Sequence, residues 1–309
     1  MITNIFKRVS IESIVASFFL VYLAFFFNLN ISNPQLSFKL LLVRSLFLTT
    51  AMMIFNLIIA FNEYRKLNIR FGSQYLISLP ICIFFLHLDG GVDFQKILIG
   101  ILILLSLNIF SRDFNNSSIL KSIFSLGITY TIMSFVNINL SLFFFLIIFL
   151  LRYIPDIKKA IITLALSILV TLQLLFLITY LLTGEFFYHK PEFMSGNISP
   201  ANNFTENEFI WIILIVIAFL IAFFYKKKSE LKFSSQNKML NIFMIFWLII
   251  TVLFRYFYLY SGEGKWSMSL IPAAYFIGIW IKRVKKDSQR DILVFSLIFI
   301  AITSKIYFS

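Results

Sequence analysis

Ala160-Ile161-Ile162-Thr163-Leu164-Ala165-Leu166-Ser167-Ile168-Leu169-Val170-Thr171-Leu172-Gln173-Leu174-Leu175-Phe176-Leu177-Ile178-Thr179-Tyr180-Leu181-Leu182 runs for 23 residues without a charged side chain. As a helix rising 1.5 Å per residue it measures about 35 Å, enough to cross a hydrocarbon core of about 30 Å. Runs of the same kind recur along the whole chain. A hydropathy window places spans at 12–28, 40–61, 73–88, 95–111, 118–136, 139–151, 160–182, 209–225, 239–258, 267–281 and 292–308. The expected fold is an all-α, polytopic transmembrane helical bundle of about 11 spans. The run 139–151 is only 13 residues long, the length of a tilted hairpin partner or a re-entrant segment. Runs 95–111 and 267–281 are short as well. Removing the fifth and sixth spans together leaves nine and preserves the orientation of the rest.

Composition agrees with this class and excludes several others. Of 309 residues 60% are apolar and 13% charged, against about 45–50% and about 25% in soluble domains. Mean hydropathy is +0.91. Gly (10) and Pro (6) are too scarce for low-complexity disorder or a collagen repeat, and the apolar runs are too long for the alternating strands of a barrel. We find no internal repeat and no linker, so residues 1–309 read as a single integral membrane domain.

The net charge of +13 is explained by where the cations sit. With the N-terminus cytoplasmic, 20 of the 27 Lys and Arg fall in inner segments, five fall outside, and Arg44 and Arg255 lie within spans. This is the positive-inside pattern, not a nucleic-acid footprint, and it puts the C-terminus outside for an odd span number. The basic inner loops 226–238 and 282–291 are expected to hold anionic membrane lipids, with docking of a cytoplasmic partner as the minority reading. The long outer segment 183–208 is too short for a folded domain and reads as a lid or interfacial helix with a mobile centre near Gly196. Lys7-Arg8 before an apolar stretch imitates a signal peptide. Phe25-Phe26-Phe27 offers no small-x-small cleavage site, however, so an uncleaved first span is expected. Cys82 lies inside an apolar run and reads as a small core residue, with no disulfide partner in the chain.

Candidate chemistry is sparse. Arg44 lies five residues, about 7.5 Å, below the outer end of its span, and Arg255 lies three residues from Tyr258. Each can snorkel to the outer headgroups. The rival reading has both lining an outward cavity and gripping a phosphate bidentately. His87, Asp89 and Asp93 crowd around Gly90-Gly91, mostly the chemistry of a tight turn, with an acid/base pair or an acidic cation site as the alternative. Glu185 and His189 form a second outer cluster of the same standing. No metal-ligand spacing, phosphate loop, dinucleotide motif or nucleophile elbow occurs, so no metal and no cofactor are expected. Pro80, inside a span, points weakly to the broken helices of transporters.

Four stretches together resemble an uncharacterised flavobacterial family of polytopic inner-membrane proteins. They are the opening Met1 to Ser10, the turn Asn62-Glu63-Tyr64-Arg65-Lys66-Leu67-Asn68, the hairpin Leu107 to Tyr153, and Gly262-Glu263 leading to Pro272-Ala273-Ala274. The resemblance implies inner-membrane location and topology, and no activity. A looser resemblance is to membrane glycosyltransferases that use polyprenyl-phosphate sugars, which place a catalytic carboxylate in the first outer loop. Here that loop, Asn28 to Phe38, has none. The departure argues against an intact enzyme of that class and leaves open a polysaccharide polymerase relying on outer-face arginines. The expectation is therefore an inner-membrane protein of cell-envelope biogenesis, binding a polyprenyl-linked glycan through Arg44 and Arg255 if it handles a ligand. A non-catalytic subunit among other envelope proteins and a transporter are the alternatives.

Overall fold

The computed structural model describes residues 5–6, 10–32, 35, 37–67, 72–85, 116–136, 156–184, 206–224, 244–252, 269–284 and 286–308. Among these residues all regular structure is helical, as the all-α expectation requires. The helices are α1 (Ile11–Ser32), α2 (Phe38–Leu67), α3 (Gly72–Phe85), α4 (Asn116–Val136), α5 (Ile157–Thr183), α6 (Glu206–Phe224), α7 (Leu270–Arg283) and α8 (Asp287–Phe308). Residues 244–252 are helical as well. The expected spans 95–111 and 139–151 lie outside the described residues.

Helix ends follow local chemistry. Ser10 precedes α1 and accepts the Ser13 N–H at 3.2 Å, while Ser13 Oγ accepts the Ser10 N–H at 2.8 Å, a serine version of the reciprocal capping box. Asp156 caps α5, its carboxylate accepting the Lys159 N–H at 3.2 Å. Gly184 ends that helix at φ 73°, a left-handed conformation where glycine carries no Cβ penalty, and its N–H donates to Tyr180 O at 2.8 Å. α2 continues to Leu67, past the apolar limit at 61, because charge does not stop a helix that has no Gly or Pro to break it. At the other end of the chain, α8 starts five residues before the apolar run. There the Arg290 guanidinium donates to Val284 O (2.9 and 2.7 Å) and pairs with Asp287 at 3.4 Å, tying down the first turn.

The chain divides into two compact units: residues 1–93, 201–234 and 261–309, and residues 94–200 with 235–260. In the first, α3 is the helix around which the others gather. It packs against α1, α2, α7 and α8, while α6 packs on α7 and α8. From Leu76 to Phe85 every residue of α3 is buried, Cys82 among them. Trp211 of α6 is buried against Phe85, with ring centroids 5.9 Å apart, and its indole N–H donates to Ser269 Oγ at 2.9 Å. Phe219 and Phe276 meet edge to face at 5.6 Å where α6 lies on α7.

In the second unit α4 packs along α5. The approach is close: a Cβ placed on Gly127 would collide with Ser167 Oγ. Ile123, Ala160, Leu120 and Leu164 fill the contact at one end, and Phe135 meets Phe176 at 6.1 Å further along. The residues α5 buries are all small, Ala160, Ser167, Thr171 and Thr179. Small residues at the contact and large ones outside are the pattern of helix pairs that associate in an apolar solvent, where backbone approach and not hydrophobic burial drives packing. α5 is long and apolar enough to cross a membrane. Ile11–Phe27, Leu76–Phe85, Leu120–Phe135 and Phe209–Leu220 are shorter apolar stretches.

Candidate functional site

Buried hydroxyls line α1, α2 and α3, which pack on one another. Ser13 and Ser17 on α1, Ser45 and Thr49 on α2 and Ser78 on α3 are each fully buried. Most of them are satisfied within their own helix. Ser13 donates to Ser10 O at 2.8 Å, Ser45 to Leu42 O at 2.9 Å and Thr49 to Ser45 O at 2.7 Å. Ser17 is different, since its hydroxyl crosses to α3 and donates to Leu76 O at 2.7 Å, with Met53 Sδ of α2 at 3.6 Å.

The reason lies in Pro80. A proline four residues on has no N–H to give to the Leu76 carbonyl, so α3 contains a buried acceptor that its own helix cannot serve. Ser17 supplies the missing donor. Neighbouring Ser and Thr side chains repair proline-interrupted helices in this way within apolar surroundings. α3 therefore runs through Pro80 without a break, and the weak pointer to a broken transporter helix has a structural explanation here. Sequence reading flagged Pro80 and passed over Ser17. The informative step would have been to ask which residue replaces the proline's missing hydrogen bond.

This junction is built to hold helices together. Its hydroxyls donate to backbone carbonyls, an arrangement that supplies no activated nucleophile. Ser78 Oγ is the exception in having no hydrogen-bond partner. Among the described residues, no three His, Cys, Asp or Glu come together.

Of the candidate catalytic and ligand-binding residues read from sequence, Arg44 is the one described. It is exposed on α2, beside Val43 (61% exposed) and Phe47 (57%) and at the edge of the face that buries Leu41, Ser45 and Leu48. A guanidinium on an apolar outer face is the setting that snorkelling expects. Arg255, His87, Asp89, Asp93, Glu185 and His189 lie outside the described residues, as do most of the loop 183–208, including Gly196, and the basic loop 226–238.

Two charged features are resolved in detail. Asp156 and Lys159 pair at 2.9 Å on the exposed start of α5. Hydrogen bonds from Lys159 hold the Asp156 carboxyl below its usual value, and Asp156 raises the Lys159 ammonium above its own. The α7–α8 turn carries Lys282, Arg283, Lys286 and Arg290, of which Lys286 is exposed and Arg290 is committed to Val284 and Asp287.

Sequence reading also passed over Gln173. It is exposed near the middle of α5, and it is the one carboxamide among that helix's aliphatic and hydroxyl residues. No family model, curated protein or solved structure matches the chain.

Proposed function

We propose that the chain is a multi-pass protein of a bacterial inner membrane, with nine to eleven spans, N-terminus cytoplasmic and C-terminus outside. We propose further that it serves cell-envelope biogenesis as a non-catalytic membrane subunit. The observation that carries the membrane reading is the outer surface of α5. Ile161, Ile162, Leu166, Leu169, Leu174, Leu177 and Ile178 are all about half exposed, over a helix of 27 residues. Water would oppose so large a continuous apolar face, whereas lipid tails accept it. The 20-to-5 bias of cations supports the orientation.

A subunit role is favoured over glycan binding by the setting of Arg44. A phosphate clamp needs a guanidinium facing a shared, partly dry cavity. Arg44 stands instead exposed beside Val43 and Phe47, where it can anchor α2 at the headgroups.

Labelling of introduced cysteines tests the topology, against a quiet background because the sole native thiol, Cys82, is buried. Positions beside Lys228 and Lys285 should resist a membrane-impermeant maleimide applied to intact spheroplasts, and one beside Asn197 should react. Labelling beside Lys228 from outside would overturn the orientation. The purified chain should retain no more polyprenyl diphosphate in micelles than the R44Q/R255Q variant. Arginine-dependent retention would reinstate the glycan reading.

A further inference from the structure

We propose that the exposed face of α5 centred on Gln173 is a dimer interface, occupied by the same face of a second copy of this chain. The inference rests on the membrane reading above and adds a partner to it. Five hydroxyl residues of α5 satisfy themselves: Thr163, Ser167, Thr171, Thr179 and Thr183 donate to carbonyls of their own helix at 2.7–2.8 Å. A glutamine cannot do this as readily, because its carboxamide stands too far from the helix backbone. Gln173 makes no hydrogen bond among the described residues, and it is exposed.

Depth makes this costly. Between the limits of the apolar run at 160 and 182, Gln173 lies about 20 Å from one end and about 14 Å from the other. A side chain reaching about 5 Å finds no headgroup or water there, so two amide donors and a carbonyl acceptor face hydrocarbon. Leaving them unpaired costs several kcal/mol on transfer scales without hydrogen bonding. A partner carboxamide removes that cost.

The pattern of neighbours selects the partner. Ile162 (59% exposed), Leu166 (52%), Leu169 (56%), Gln173 and Leu177 (52%) form one stripe along α5. Their spacing of three or four residues is that of a coiled-coil seam with one polar position. A carboxamide donates and accepts at once, so two symmetry-related copies satisfy each other, and a twofold contact brings each residue near its counterpart. The opposite side of α5 is occupied by α4 at Gly127 and Ser167, so the stripe faces away from that contact. One polar residue in an apolar seam also fixes register, as a lone Asn does in leucine zippers.

Disulfide crosslinking of the full chain in native membranes tests the interface. With Cys82 replaced by Ala, L166C, L169C and L177C should yield covalent dimers, while I178C, exposed but displaced around the helix, should not. Purified in detergent, the native chain should be dimeric, Q173L should weaken dimerisation about three- to thirtyfold, and Q173N should largely restore it. Equal crosslinking at I178C, a native chain that stays monomeric, or dimers indifferent to Q173L would each overturn the proposal. So would crosslinking to a different polypeptide alone, or ready labelling of Q173C by an aqueous maleimide, which would mean that the face lines a water-filled path. Extraction at alkaline pH separates this from failure of the underlying reading: a chain released from membranes defeats both, a retained monomer only this one.

Discussion

α3 and α5 are both apolar helices, and the fold uses them in opposite ways. Every residue of α3 from Leu76 to Phe85 is buried among α1, α2, α7 and α8. α5 buries only Ala160, Ser167, Thr171 and Thr179, and turns its large aliphatic residues outward. Hydropathy alone does not separate the two. The separating feature is the distribution of side-chain volume and hydroxyls. Around α3, large residues from several helices interlock. Along α5, the buried positions form a line of small residues where α4 approaches closely, flanked by half-buried Leu164 and Phe176. Apolarity puts a helix into an apolar phase, and shape decides whether protein or solvent surrounds it there.

Truncation is the sharpest way to break this contrast. Ile81→Ala should cost about 2–4 kcal/mol in reversible unfolding in detergent, because the cavity it leaves is walled by packed helices. Ile178→Ala, exposed and displaced around the helix from the stripe, should stay within about 0.5 kcal/mol, since solvent closes over the missing atoms. Equal losses would mean that α5 has packing partners of its own and that the two helices are not opposites.

A smaller effect tests why α3 is continuous. Ser17→Ala should destabilise by about 1 kcal/mol, since the Leu76 carbonyl then lacks a donor in a buried site. In a Pro80→Ala background the same substitution should cost much less, because residue 80 regains the N–H that its helix needs. A double-mutant cycle with no coupling would show that the serine does not substitute for the proline's missing bond.

The positions of the helices were legible in the sequence because each contains a long apolar stretch. The expected 160–182 became Ile157–Thr183 and the expected 118–136 became Asn116–Val136. Helix ends were less legible, as at Leu67 and Asp287, where charged residues continue a helix that a hydropathy window stops. Partners were not legible at all. No count of apolar residues tells that Ser17 reaches Leu76, 59 positions on, or that Gly127 lies under Ser167. The candidate site was legible only in part. Arg44 was noticed because a charge in a span is costly, but whether it faced a cavity or the exterior depended on which side of α2 packs. Gln173 was hidden by its uncharged state, although its amide is as hard to place in hydrocarbon as the hydroxyls beside it, and harder to satisfy locally.

The smallest effect expected is at the start of α5. The lowered Asp156 carboxyl stabilises the cap above its unfolded value of about 4, and this is lost as pH falls through the folded value. The raised Lys159 ammonium contributes below its unfolded value of about 10.4, and this is lost as pH rises through the folded one. The cap is thus intact between about pH 4 and about pH 10, and Asp156→Ala should flatten a shallow dependence of Tm on pH near the acid edge. A dependence unchanged in the variant would place the titrating group elsewhere, away from this exposed pair.

The bond between Ser17 and Leu76 also has a bearing on biosynthesis. The ribosome releases α1 before α3, so the hydroxyl precedes the carbonyl it serves. α3 is born with a defect at Pro80, and the remedy is already built into an older helix. Assembly of this unit thus has a direction: α1 can form complete by itself, while α3 is finished only on docking. The Leu76 carbonyl thus stays without a helix donor until α1 lies beside it.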